Sequence, residues 1–225
     1  MKTMKNSLLK MVFAIAALML LSATVADWDT LMRRRGMVEL TRLDESFIID
    51  LRYATANNFV GRNMYGTFCK AYLHPEAASA LVKAQRKLQK IDPDYSIIIY
   101  DAARPQSVQR TMWNAVKGTE NARYVARPEK GGPHNYGIAV DVGLAYRGKP
   151  VDMGTGFDSF STASHITQEA LLVKQHRISS EAYRNRLLLR KVMTESGFMT
   201  YRREWWHFER YRIKYAREHC KLLDF

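Results

Sequence analysis

An α+β fold, with helices packed on a central and mostly antiparallel sheet, follows from three features of the sequence. Apolar strand-like runs alternate with amphipathic helical stretches, no internal repeat or low-complexity tract interrupts them, and the last third closes on a segment that reads as a strand or hairpin. The 225 residues suffice for one domain with a substantial core.

The first 26 residues differ in kind from the rest. Lys2, Lys5 and Lys10 precede an apolar run over 11–21, and the small residues of 22–26 end in Thr24 and Ala26, the layout of a secretory signal peptide cleaved after Ala26. The apolar run is short for a membrane span, which needs about 20 residues, and an uncleaved N-terminal anchor is the alternative. Residues 27–225 then form a single domain that acts in the periplasm, with no membrane span. Loss of the three lysines lowers the formal charge from +13 to +10. A basic balance invites a nucleic-acid reading, but an exported chain does not meet nucleic acid, so the charge is read as a solvated surface near anionic envelope polymers.

Pro75 and Glu76 mark a helix start, and Ala77, Leu81, Ala84 and Leu88 recur at helical spacing, predicting a helix over 75–90. Residues 95–100, centred on Ile97, Ile98 and Ile99, predict a buried strand ending at Asp101, after which Pro105 opens a helix to Val116. Gly131, Gly132 and Pro133 make a turn before a second strand over 136–144. There Ile138, Val140 and Val142 share one face, and Asp141 points the other way. A Gly-, Asp- and Ser-rich loop spans 151–164, Ser180 caps a helix to about Glu195, and residues 198–208 after Gly197 form the final strand or hairpin.

Cys69 and Cys220 stand far apart and form no C-x-x-C pair, which excludes a cysteine metal site and a thioredoxin-like motif. A single disulfide between them is left open.

Two of the six histidines sit in chemically loaded contexts. The run Gly132-Pro-His134-Asn-Tyr-Gly-Ile-Ala-Val-Asp141 pairs a histidine with an aspartate seven residues on, and Glu204-Trp-Trp-His207 sets a carboxylate three residues before a histidine. Two His and one Asp are the N/O ligand set of a catalytic zinc site with a fourth position free, and Glu204 would be the base beside it. Zinc lowers the pKa of water from 15.7 to about 7. Arg104, at a strand-to-helix turn, is a permanent positive charge suited to a developing oxyanion. On spacing alone the simpler readings stay open: His134 as an ordinary histidine, Arg104 as a surface ion pair, Trp205 and Trp206 as core fillers. Residues three apart in a straight strand also face opposite sides, so Glu204 and His207 converge only where the chain bends.

At these residues the sequence resembles the D-alanyl-D-alanine dipeptidases, in a superfamily with D,D-carboxypeptidases, lysostaphin-type peptidases and the hedgehog signalling domain. The likeness runs in order through Asp50-Leu-Arg-Tyr53-Ala-Thr-Ala-Asn-Asn-Phe59, Tyr100-Asp-Ala-Ala-Arg104-Pro, His134 to Asp141, Asp152-Met-Gly-Thr-Gly-Phe-Asp158 and Glu204-Trp-Trp-His207. It implies a hedgehog/D,D-peptidase-like fold and one Zn²⁺ per chain on His134, Asp141 and His207. It further implies Glu204 as general base, Arg104 on the carbonyl oxygen, Asp158 with Tyr53 on the substrate ammonium, and Tyr65 near the substrate carboxylate. Gly132 departs from the serine usual in the family, and Tyr136 from the arginine or similar residue often found there.

The implied activity is hydrolysis of D-alanyl-D-alanine to two D-alanine. A dipeptide carries two opposite charges close together, and Asp158 supplies an acceptor for the free amine that an enzyme acting on longer stem peptides does not need. A D,D-carboxypeptidase or peptidoglycan endopeptidase of the same superfamily, and a non-catalytic zinc-containing binding module, are the two alternatives. Retention of Glu204 and Arg104 argues against the second.

Overall fold

The computed structural model describes residues 27–225; the expected signal peptide, 1–26, lies outside them. Helix α1 (Trp28–Arg34) is capped by the Asp27 carboxylate, and short strands β1 (Val38–Glu39), β2 (Ile48–Ile49) and β3 (Tyr72–Leu73) lead to helix α2 (Pro75–Ile91). Strand β4 (Tyr95–Asp101), helix α3 (Gln106–Val116), strand β5 (Ala139–Tyr146) and strand β6 (Lys149–Pro150) follow. The chain closes with helices α4 (Glu169–Lys174) and α5 (Ser180–Thr194), strands β7 (Met199–Tyr201) and β8 (Glu204–Glu209), and helix α6 (Ile213–His219). Among the described residues no helix is long and apolar enough to cross a membrane.

The main sheet has the order β2-β4-β5-β8-β7, with β6 paired to β5; only β2 and β4 run parallel. This is the expected α+β architecture. Its core is the aliphatic face of β4 and β5 (Ile97, Ile99, Val140, Val142, Leu144) against Leu81 and Leu88 of α2 and Leu189 and Met193 of α5, all fully or almost fully buried. Burying each such side chain contributes about 1.5–3 kcal/mol.

Three elements differ from expectation. The stretch before Asp141 is no continuous strand: Pro133–Tyr136 forms a 3-10 turn, and β5 begins only at Ala139. Gly137 causes the break, with φ at +66° closing the turn. Helix α5 is capped one residue earlier than expected, the Ser179 hydroxyl accepting from the Ala182 N–H at 2.8 Å. Cys69 and Cys220 are both free, so the disulfide left open is not formed.

Gly137 joins fold to function, because its turn aims the neighbouring His134. A Cβ at this position would lie 2.5 Å from the Met37 sulfur and 3.0 Å from the His74 nitrogen. Gly137→Ala is therefore expected to cost at least the roughly 1–3 kcal/mol of an unfavourable left-handed residue. Thermal unfolding should show this as a fall of roughly 2–4 °C per kcal/mol.

Candidate active site

Two irregularities of register assemble the site. Between β4 and β5 the pairing runs Ile98↔Gly143, Ile99↔Val142 and then Asp101↔Asp141, so Tyr100 is an extra residue. That bulge sets Asp101 directly across from Asp141, on the same face. Across the other edge of β5, Asp141 pairs with His207. Three neighbouring strands thus present Asp101, Asp141 and His207 in one row.

The second irregularity lies in the β7–β8 hairpin, where Thr200↔Phe208 is followed by Tyr201↔Glu204. Residues 205–207 of β8 have no partner on β7, and the strand bends there. The bend meets the condition set by the spacing: Glu204 Oε2 comes within 3.9 Å of His207 Nδ1 despite the three-residue separation.

His134 enters from its own turn, which is clamped to the Arg104 loop. The Arg104 N–H donates to the His134 carbonyl at 3.0 Å, and the Asn135 side chain donates to the Arg104 carbonyl at 2.8 Å. His134 Nδ1 lies 2.7 Å from the Ala102 carbonyl, so it carries the proton and Nε2 turns a lone pair toward the sheet. His207 has the opposite assignment: Nε2 lies 3.2 Å from Glu209 Oε1, which leaves Nδ1 facing inward.

Three acceptors then converge. His134 Nε2 to His207 Nδ1 is 3.2 Å, His134 Nε2 to Asp141 Oδ1 is 3.4 Å, and His207 Nδ1 to Asp141 Oδ1 is 2.9 Å. Lone pairs so close repel one another unless a proton, here on His207 Nδ1, or a metal cation in its place lies among them. The edge of a tetrahedron is about 1.6 times its bond length, so ligand bonds of about 2.0–2.1 Å place donor atoms about 3.3 Å apart. The observed triangle fits a tetrahedral divalent ion, and zinc suits an all-N/O set of this kind. These three buried residues are the group among the described residues whose donor atoms lie close enough to share an ion.

The electrostatics follow from burial and neighbours. Burial alone would raise the Asp141 carboxyl, but His134 and His207 hold it below the usual carboxylate range. For His207, burial disfavours the charged ring, yet the Asp141 and Glu209 carboxylates outweigh it and push the ring well above its ordinary value. Glu204 has little such help, and burial pushes its carboxyl up to about 7. The Arg104 guanidinium is fixed by Asp101 Oδ2 (2.6 Å to Nη2, 2.9 Å to Nε) and by Gln109 Oε1 (2.8 Å to Nη1).

A cavity of about 250 Å³ opens onto this centre, lined by His134, Asp141, His207, Glu204, Arg104 and Asp158, with Tyr53, Phe59, Tyr124 and Phe160 among its aromatic walls. Asp158 sits in the left-handed region at φ +60°. Its Oδ1 accepts from the Tyr53 hydroxyl at 3.0 Å, while Oδ2 is buried without a partner among the described residues. Burial, with Asp141 nearby, raises its carboxyl well above the usual range. A buried acceptor left without a donor is a place prepared for one from outside.

Of the eight residues expected at the site, one is elsewhere. The Tyr65 hydroxyl donates to Asp101, and its ring packs on Trp28, Tyr53 and Phe68 rather than lining the cavity. It stands beside Asp101, the partner of Arg104, and its expected place near a substrate carboxylate is not among the contacts of the cavity wall. Trp205 is buried as expected of a core residue; Trp206 is buried too, but also lines the cavity.

The structure gives four residues parts in the site that the sequence does not mark. Asp101 holds Arg104, and Glu209 fixes the His207 ring. Gly132 admits a neighbouring segment: a Cβ there would lie 2.7 Å from the Ala126 Cβ. Arg186, in α5, staples the loop that carries Asp158, donating to the Met153 carbonyl at 2.6 Å and the Ala163 carbonyl at 2.9 Å. Its guanidinium also lies 5.7 Å from the Trp205 ring, whose Nε1 donates to Thr155 of the same loop at 2.8 Å.

Comparison with known proteins bears on this geometry. Residues 33–224 match the peptidase M15 family, described as D-ala-D-ala dipeptidase. The Escherichia coli K12 protein named D-alanyl-D-alanine dipeptidase is 35% identical over 174 residues, covering 77% of this chain and 83% of its own length. The protein of the same name from Enterococcus faecalis is 28% identical over 177 residues, covering 71% of this chain and 84% of its own. A solved LD-carboxypeptidase, LdcB, aligns at 19% identity over 65% of this chain and 64% of its own, with a TM-score of 0.36.

Proposed function

The chain belongs to the D-Ala-D-Ala dipeptidase family of metallopeptidases, and from that premise we propose that it hydrolyses D-alanyl-D-alanine to two D-alanine, with zinc held by His134, Asp141 and His207. The observation that carries the metal reading is the triangle of three inward lone pairs with edges of 2.9, 3.2 and 3.4 Å. The observation that carries the dipeptide reading is the buried, half-satisfied Asp158 in a cavity of about 250 Å³.

Zinc bound there supplies Lewis acidity toward water and the scissile carbonyl. The residues of the chain do the rest. Asp158, with Tyr53 fixing one of its oxygens, receives the substrate ammonium and thereby sets the position of the scissile bond. Glu204 takes the proton from the attacking water and returns it to the leaving amine, a shuttle for which a carboxyl near neutrality is well matched. Arg104, immobilised by Asp101 and Gln109, holds its charge ready for the oxygen that becomes anionic, without reorganisation at the moment of reaction. Phe59, Phe160 and Trp206 make part of the wall apolar, which strengthens the polar interactions beside it.

Glu209 acts through His207. Losing such a partner typically weakens metal affinity 10–100-fold. Glu209→Ala is expected to shift zinc retention by about that factor in competition with a graded series of chelators, and unchanged retention would remove Glu209 from the metal's support.

Periplasmic action rests on the sequence of residues 1–26 and is part of the same proposal. In that compartment the product is D-alanine recovered outside the cytoplasm.

The deciding experiment compares D-Ala-D-Ala with its N-acetyl derivative. Rapid cleavage of the free dipeptide and little of the blocked one is the expected result, because an acyl group removes the charge Asp158 is placed to receive. Equal cleavage would make the protein a D,D-carboxypeptidase, and cleavage of neither would leave a zinc-containing binding module.

A further inference from the structure

A dipeptide zwitterion brings a carboxylate as well as an ammonium, and Tyr65, its hydroxyl given to Asp101, does not line the cavity. Among the described residues two cationic side chains line the cavity, Arg104 and Arg123. The Arg104 guanidinium bonds Asp101 through Nε and Nη2 and Gln109 through Nη1, and its remaining N–H groups are assigned to the reacting carbonyl oxygen. The Arg123 guanidinium makes no hydrogen bond or ion pair to any described residue; its one described contact is with the Tyr124 ring, 5.2 Å from the centroid.

Arg123 belongs to the 3-10 segment Glu120–Tyr124, which leads into Val125 and Ala126 on the cavity wall. Gly132 lets this segment close in, since any side chain at 132 would run into Ala126. Tyr124 stacks on Phe160 with centroids 4.7 Å apart and planes within 6°. Phe160 in turn meets Phe59 at 5.1 Å, and Phe59 meets Tyr53, the partner of Asp158, at 6.3 Å. An aromatic wall thus joins a carboxylate at one end to a guanidinium at the other.

The cationic end is reinforced. Arg203, from the β7–β8 turn, donates to the Arg123 carbonyl at 3.3 Å and lies 6.0 Å from the same Tyr124 ring. No ion pair involving Arg123, Arg202 or Arg203 occurs among the described residues. Burial and the charges of Arg203, Arg123 and Arg202 together hold nearby His165 below its ordinary value. Arg123 on the cavity wall, with Arg203 beside it and neither in an ion pair among the described residues, attracts an anion.

We propose that Arg123, backed by Arg203, binds the C-terminal carboxylate of the dipeptide and restricts the enzyme to substrates with a free carboxyl end. The inference rests on the dipeptidase reading and deepens it. Arg123 is a planar fork able to take both oxygens of a carboxylate, and its contribution is made to the bound substrate rather than to the reacting carbonyl.

The test compares D-Ala-D-Ala with D-alanyl-D-alaninamide on the wild-type protein, Arg123→Gln and Arg123→Lys. For the free dipeptide, Arg123→Gln is expected to raise KM by about 10- to 100-fold, as loss of a hydrogen bond to a charged group does, with kcat within about threefold. Arg123→Lys recovers part of the loss, and the KM for the amide is the same in all three proteins. An unchanged KM for the free dipeptide, or an equal rise for dipeptide and amide, overturns the assignment while leaving the dipeptidase reading intact. A wild-type protein inactive on D-Ala-D-Ala overturns that reading and this inference with it.

Discussion

Glu204→Gln is expected to lower kcat on D-Ala-D-Ala by roughly 10²–10⁴-fold while the protein still holds one zinc per chain. Glutamine keeps the shape and cannot accept a proton. The nearest approach of Glu204 to a proposed ligand is 3.9 Å, from its Oε2 to His207 Nδ1, beyond the triangle of donor atoms, so removing its charge leaves the metal's support in place. The same residue sets a pH signature. Burial places its carboxyl at about 7, above the ordinary value, so below that pH it is protonated and cannot act as a base. Activity therefore falls as pH drops through the Glu204 titration, by up to tenfold per unit, and the bound metal's charge displaces that limb downward. The glutamine variant should lose this limb from its residual activity. Rates across pH, with metal content measured on the same samples, check both statements; loss of zinc together with activity would make Glu204 a ligand instead.

The second large effect joins function to stability. Asp158→Asn is expected to lower kcat/KM for free D-Ala-D-Ala by roughly 10²-fold or more, since truncating one side of a buried charge pair typically costs about 2–5 kcal/mol. N-blocked dipeptides, cleaved slowly by the wild type, should be little affected. The same substitution is expected to make the empty protein more stable. In the folded chain Oδ2 has no partner among the described residues, and the carboxyl is raised well above its unfolded value. A carboxyl raised in this way binds more protons folded than unfolded, so its contribution to stability declines as pH climbs above the unfolded value near 3.9. Asparagine removes that loss and tolerates the left-handed backbone at φ +60°. Melting temperature at pH 7–8 should rise by a few degrees, and the gain should vanish in acid. Equal loss on free and blocked substrates, or a lower melting temperature at neutral pH, would give Asp158 a structural role.

Much of this arrangement was legible in the sequence, for identifiable reasons. Strand alternation put Asp141 opposite the aliphatic face of β5, where it is found. Helix α2 began at the proline that announced it and ran one residue beyond its expected end. What stayed hidden depended on register. Nothing in Tyr100-Asp-Ala-Ala-Arg104 signals that Tyr100 is a bulge, yet that extra residue is what brings Asp101 across from Asp141. The slip in β8 that turns Glu204 toward His207 is equally silent, because it is imposed by strand pairing from both sides. Glu209 reads as an ordinary strand-end acid and Arg186 as one more charge on a polar helix; only burial and partners distinguish them. That the Tyr65 hydroxyl goes to Asp101 is equally illegible, because an aromatic residue in a loop carries no indication of which polar partner it takes.

The most direct measurement of the central claim is metal content together with X-ray absorption at the metal edge on the purified protein. One zinc per chain is expected, with nitrogen and oxygen neighbours at roughly 2.0–2.2 Å and no sulfur, and with the metal lost in His134→Ala and His207→Ala. A protein that hydrolyses its substrate unchanged after full chelation, or a metal with sulfur neighbours at about 2.3 Å, would contradict the account.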